Sequence, residues 1–214
     1  MKREREGWRM AKDVRIDTVI FDVGNVLVDF KWREYLESFG FSPKVREAVA
    51  AAMFLSPQWD EMDRGLRPDQ KYLEAFIQNA PQYEKEIREV YAHCGDCIHT
   101  CAYAVSLVQG CREKGCRTYI LSNYSRYLFH ETEHKMPFRE YMDGELFSFQ
   151  TGQIKPEPEI YRTLLERYDI DPRRALFLDD RKSNLDGASR MDIHTLQFFT
   201  YERALEDLVD FDIF

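Results

Sequence analysis

The chain has 214 residues, 44% hydrophobic and 32% charged, enough for one large domain or a core domain with a modest insert. Its net charge of −8, with no long basic stretch beyond the N-terminal tip, argues against nucleic-acid binding, and no apolar run approaches the length of about 18 residues that a membrane span needs. Five cysteines, an odd number without a disulfide-framework density, make a reducing cytoplasm the expected compartment.

In chain order, "MKREREGWRMAKD" over 1–13 is basic and has no apolar h-region, so it is expected to be a loose, solvated extension rather than a secretory leader, with Met10 as an alternative start. A first strand is predicted over 16–21. From 32 to 98 the chain reads as helix throughout. Ser42-Pro43 and Ser56-Pro57 have the pattern of an N-cap followed by a first-turn proline. Val45, Ala48, Val49, Ala52 and Met53 recur at helical spacing, and Pro68 and the "NAP" at 79–81 punctuate two further helices. Strands are predicted again over 117–121, 146–149, 175–178 and 193–198, with helices between them. There is no internal repeat or low-complexity segment. Short apolar strands alternating with helices predict an α/β fold: a Rossmann-like parallel sheet covered on both faces, with an inserted α-helical cap. The core is expected over 14–31 and 99–214, and the cap over 32–98.

Ligands of such sheets bind at the carboxyl ends of the strands. Here "TVIF" ends on Asp22, "TYIL" on Ser122-Asn123, and "ALFL" on Asp179-Asp180. Three polar endings in one parallel sheet point to one crevice. Clustered carboxylates repel and raise one another's pKa, and a hard divalent cation such as Mg²⁺ removes that conflict. A phosphate beside Asp22 would also need a cation and a lysine. Lys155, in "TGQIKPEPEIY", is available; Pro156 holds it out of helical conformation, and a helix is predicted to start near 156–159. That would set the ammonium at a positive helix end.

With these residues in order, the sequence resembles the haloacid dehalogenase (HAD) superfamily of hydrolases, in the subgroup with a helical cap after the first strand. The resemblance spans about residues 16–198. It implies that Asp22 is the nucleophile and forms an aspartyl-phosphate that water then hydrolyses. It implies Mg²⁺ held by Asp22, the Gly24 carbonyl and Asp180, with Asp179 assisting directly or through water. Ser122, Asn123 and Lys155 would bind the transferring phosphate oxygens, and Asn184 would orient metal-bound water.

The sequence departs from the family motif at Gly24, where the resemblance leads one to expect the aspartate that protonates the leaving group. General acid–base help is typically worth about 10²–10⁴ in rate, or roughly 3–5 kcal/mol. Three readings stand: a substrate with a good leaving group, a substitute acid with Asp29 as the candidate, or a phospho-ligand binding or regulatory module with weak or no turnover. Asp29 also reads as a flap residue hydrogen-bonded to backbone. The "D-x-G-N-V" form resembles a branch containing sugar-phosphate phosphatases. The leading expectation is therefore a Mg²⁺-dependent phosphatase acting on a small phosphorylated metabolite, a sugar phosphate first. A carbon–halogen hydrolase is disfavoured by the intact Asp179-Asp180 pair, and a phosphoryl mutase by Gly24. The expected state is a monomer or weak homodimer, away from nucleic acid and membrane.

Of the remaining features, Cys94, Cys97 and Cys101 would place three sulfurs near one helix face. Without a second ligand pair they read as buried small hydrophobes rather than a zinc site. Trp59, in the cap, either packs inside the helices or lines the substrate pocket. Arg181 and Lys182 read equally as positive potential over a phosphate and as a solvated turn, and His130 and His134 as surface residues.

Overall fold

Val19, Ile20 and Phe21 point alternately to opposite faces of a strand, yet all three are fully buried. The strand must therefore be covered on both sides. A computed structural model, which describes residues 15–214, shows how. The expected N-terminal extension over 1–13, with Met10, lies outside the described residues.

Strand β1 (Thr18–Phe21) is followed by β2 (Val28–Phe30), then by helices α1 (Trp32–Ser38), α2 (Pro43–Ala52), α3 (Pro57–Arg64), α4 (Asp69–Asn79) and α5 (Glu84–Ala92). Next come β3 (Ile98–Thr100), α6 (Ala104–Glu113), β4 (Arg117–Ser122), α7 (Arg126–Thr132), β5 (Gly144–Phe147), α8 (Pro158–Tyr168), β6 (Ala175–Asp179), α9 (Lys182–Ser189), β7 (His194–Gln197) and α10 (Tyr201–Val209). Five strands form one parallel sheet in the order β5-β4-β1-β6-β7. Val19 and Phe21 pack on the face covered by α6 and α10, through residues such as Leu107, Val108 and Leu208. Ile20 packs on the other face, against Ile160 and Leu164 of α8 and Leu185 of α9. Burying each such side chain contributes about 1.5–3 kcal/mol, so the near-continuous apolar strands specify a sheet with helices on both faces.

The sheet's register also levels the site. Phe21 pairs with Ile120 on one side and Leu178 on the other. One residue further, Asp22 stands level with Leu121 and Asp179, at the carboxyl edge of the central strand.

The helices α1–α5 build the inserted cap. Ser42 caps α2, its Oγ accepting from Val45 N–H at 3.4 Å, whereas the Ser56 hydroxyl instead donates to the Met53 carbonyl at 2.7 Å. Trp59, Met62 and Phe76 are buried in the cap and continuous with the core.

Several expectations need correction. The strand predicted over 146–149 runs over Gly144–Phe147, because Ser148 turns away: its hydroxyl accepts from Tyr124 N–H at 2.9 Å and donates to the Asp63 carbonyl at 2.6 Å. The stretch up to residue 98 is not all helix. Cys94–Cys97 forms a single 3₁₀ turn and Ile98–Thr100 is β3, so Cys101 shares no helix face with Cys94 and Cys97. All five cysteines are buried free thiols. β3 pairs antiparallel with β2, Asp29 opposite His99, which ties together the two chain crossings between core and cap. Three-residue strands are too short to carry a periodicity, so neither β2 nor β3 was legible in the sequence.

Candidate active site

Lys155 is where the strand ends meet. The ammonium is 2% exposed as a residue and contacts Asp22 Oδ1 at 2.9 Å, Asp179 Oδ2 at 2.7 Å and the Leu121 carbonyl at 2.9 Å. These are the three groups that the register brings level. The Lys155 backbone is fixed by Asn123, whose Oδ1 accepts from Lys155 N–H at 2.8 Å and whose Nδ2 donates to the Lys155 carbonyl at 2.9 Å. The amide of Asn123 thus positions the lysine, with one N–H left over at the cavity wall. Helix α8 begins at Pro158, with Glu157 as its N-cap residue.

Asp179 is fully buried and saturated. Besides Lys155, it accepts from Arg181 N–H at 2.8 Å and from Asn184 Nδ2 at 3.0 Å. Asp180 turns the other way and accepts from Asn25 Nδ2 at 3.0 Å. Asn25 stands in the left-handed region, φ 56°, in the tight turn after β1. Asn is among the few non-glycine residues that tolerate this conformation. Gly24 precedes it with an ordinary φ, and a Cβ there would meet nothing within 4 Å. Lack of space does not explain the glycine.

Oxygens of Asp22, Asp179 and Asp180 lie within 4.8 Å of one another. Burial pushes the Asp22 carboxyl up to about 7, against the pull of Lys155 and with the push of Asp179 and Asp180. Burial and Asp179 likewise raise Asp180. Lys155 is also raised: its two carboxylate partners outweigh its desolvation, and it stays an ammonium. One ammonium among three carboxyls leaves an excess of negative charge. All-oxygen donors with unneutralised charge fit a hard divalent cation. Two orphaned atoms agree. The Asn184 Oδ1 and the Ser122 hydroxyl are buried without a partner among the described residues, an arrangement that costs about 1–3 kcal/mol per group unless a ligand or its water completes it.

A cavity of about 300 Å³ opens over this cluster. Asp22, Gly24, Asn123, Lys155, Asp180 and Asn184 form its floor, and Phe30, Phe54, Trp59 and Leu128 face them. Trp59 does both things the sequence left open: it stacks on Phe30 with centroids 5.8 Å apart, packs toward Phe76, and lines the cavity. Asp29 does not line it. Its carboxylate pairs with Lys31 at 3.1 Å on the surface beside Cys101. Several lining residues carried no usable sequence signal for the site, among them Phe54, Asp60 and Asp63. The two aspartates sit on a cap helix where acidic residues are ordinarily a solvated face. Arg181 also lines the cavity.

Among the described residues no helix is long and apolar enough to cross a membrane. The family model "haloacid dehalogenase-like hydrolase" matches residues 16–192. The sesquiterpene phosphatase of Aspergillus oryzae is 26% identical over 168 residues, covering 78% of this chain and 81% of that protein. The D-ribitol-5-phosphate phosphatase of Bacteroides thetaiotaomicron is 30% identical over 91 residues, 39% of this chain and 44% of that one. Against mouse acyl-CoA dehydrogenase family member 10, a 98-residue match at 35% identity covers 45% of this chain but only 9% of the larger protein. In fold, the chain superposes on a HAD-family enzyme of Bacteroides thetaiotaomicron, solved in complex with magnesium and inorganic phosphate, with a TM-score of 0.69 at 21% identity, covering 88% of this chain and 98% of that one. The parallel sheet, the level carboxylates and the buried lysine agree with the family match over most of the chain: it belongs to the haloacid dehalogenase-like hydrolases.

Proposed function

We propose that the chain is a Mg²⁺-dependent phosphatase that hydrolyses a small phosphomonoester through an aspartyl-phosphate on Asp22. The observation that carries this reading is Lys155, buried between Asp22 and Asp179 at the floor of the cavity. Asp22 attacks phosphorus, and its pairing with Lys155 orients Oδ1, while Oδ2 accepts no hydrogen bond from the described residues. Lys155 and the orphaned Ser122 hydroxyl donate to phosphate oxygens as charge redistributes. Asp179 and Asn123 hold the lysine in place. Asp22, Asp180 and the Gly24 carbonyl would hold Mg²⁺, with Asp179 and Asn184 behind them; the ion supplies neutralisation of carboxylate and phosphate charge. The aromatic wall of Phe30, Phe54 and Trp59 covers the organic part of the substrate.

Within this class a sugar phosphate remains the first choice. The ribitol-phosphate phosphatase among the relatives supports it, and a sugar ring presents an apolar face that Trp59 and Phe30 can cover. The same rings, and the sesquiterpene phosphatase, support an apolar ester as the second choice. The alternative of a binding module without turnover has only Gly24 in its favour.

The test is phosphate release from sugar, nucleotide, acyl and prenyl phosphates, each with Mg²⁺ and with EDTA. Release that requires the metal is expected for at least one ester, and the best ester identifies the organic group. A folded protein that releases nothing from the whole panel would sink the phosphatase reading.

A further inference from the structure

Breaking a phosphate ester of an ordinary alcohol sends an electron pair to the leaving oxygen, and that oxygen needs a proton. Asp22 is occupied as nucleophile, and Gly24 has no side chain. Asp180 is bound by Asn25 within the metal-facing cluster, and Asp29 is outside the cavity. Among the described residues two carboxyls remain on the cavity wall, Asp60 and Asp63, one turn apart on α3. Asp60 is exposed and Asp63 half-buried. The Asp63 carboxyl makes no hydrogen bond or ion pair to any described residue, while its main chain is firmly held. The Asp63 carbonyl accepts from Ser148 Oγ at 2.6 Å. Next to it, Arg64 donates to the Gly152 carbonyl at 3.3 Å and pairs with Glu157, Nη1 to Oε2 at 2.9 Å. Gly65, at φ +65°, ends the helix so close to Phe149 that a Cβ would come within 2.8 Å of the Phe149 side chain. These contacts lock the end of this cap helix onto the core, and they carry an unpartnered carboxyl over the crevice.

We propose that Asp63, supplied by the cap, is the general acid–base residue of the reaction. This inference rests on the phosphatase reading above. In the first step the Asp22 carboxylate forms a bond to phosphorus, the bond from phosphorus to the leaving oxygen breaks with its electron pair, and the Asp63 proton passes to that oxygen. In the second step Asp63, now a carboxylate, takes a proton from the attacking water. The water oxygen bonds to phosphorus, and the pair of the acyl-phosphate bond returns to Asp22. The sum is ester plus water to alcohol plus phosphate, and both carboxyls end as they began.

The protonation state agrees with this role. Burial first, then Asp60 on the same helix and Asp22 below, push the Asp63 carboxyl up to about 8, opposed by Arg181 and Lys155. Tyr124 and Asp180, on the same cavity wall, are further titratable neighbours. At neutral pH Asp63 holds the proton it has to donate, and the alkaline limb of the rate profile should belong to it.

The experiment compares wild type, Asp63→Asn and Asp63→Ser on an aryl phosphate with an acidic phenol and on an alkyl phosphate, across pH. The variants are expected to lose about 10²–10⁴ in kcat on the alkyl ester but less than about tenfold on the aryl ester, which needs little protonation. The alkaline limb for the alkyl ester should disappear in both. Equal losses on the two esters, or an alkaline limb that persists, would overturn the proposal while leaving the phosphatase intact. No metal-dependent release by wild type would overturn both. A melting curve shows which variant is folded, and either folded variant decides the question.

Discussion

Asp22→Asn should reduce phosphate release by about 10⁴–10⁶-fold, the range seen when a covalent nucleophile is removed from a machinery that otherwise stays intact. The amide keeps the shape and can still face Lys155, but it cannot attack phosphorus. A phosphoenzyme trapped by rapid acid quench with labelled substrate should be present in wild type and absent in the variant. A variant that still forms the phosphoenzyme would move the nucleophile elsewhere. The same substitution should stabilise the metal-free fold. Asp22 is raised from its ordinary value to about 7. Between pH 4 and 7 the folded state therefore binds more protons than the unfolded one, and wild-type stability falls as pH rises through that window. Asparagine carries no such proton. At pH 8 in EDTA the variant should exceed wild type by roughly 1–3 kcal/mol, and at pH 4 by almost nothing. Urea melts at the two pH values separate the effects.

Lys155→Met should damage the fold itself as well as the chemistry. It keeps the volume and removes the cation that Asp22 and Asp179 share at 2.9 and 2.7 Å. Removing one partner of a buried ion pair leaves an uncompensated charge and typically costs about 3–5 kcal/mol. For a chain of this size that lowers Tm by roughly 10 °C or more. The lysine's folded pKa is raised, so its contribution is complete below its unfolded value and is lost only at high pH. In the variant the buried carboxyls must be neutralised instead. Its deficit should be smallest near pH 5 and largest near pH 8, and thermal melts at both values in EDTA would reveal it. A flat deficit across that range would mean that the carboxyls are not paired through the lysine. Activity should fall with it, because Lys155 also faces the phosphate position.

The clustering of the candidate site's residues at one sheet edge was legible in the sequence. Asp22, Ser122, Asp179 and Asp180 each close an apolar run, and in a parallel sheet such positions share one edge; that is a consequence of strand periodicity and burial alone. Lys155 stood out through "KPEPEIY", whose prolines constrain the backbone locally. The cap was also legible, from helical spacing and Ser-Pro N-termini. The function of individual polar groups was not. The Asn123 amide clamps the lysine's main chain 32 residues away, a contact that no local pattern announces. Asp29 looked like the replacement acid, being next in sequence, but β2–β3 pairing points it toward Lys31.

The amino-acid sequence by itself determined the layered α/β core, the inserted helices and the floor of acidic groups, because each follows from short-range patterns of apolar, charged and turn residues. Only the tertiary structure decided what faces that floor. Asp63 reaches the cavity because its carbonyl meets Ser148, 85 residues on, and its neighbour Arg64 meets Glu157, 93 residues on. Such contacts depend on how the cap closes over the sheet, a packing balance among many side chains that no local pattern encodes.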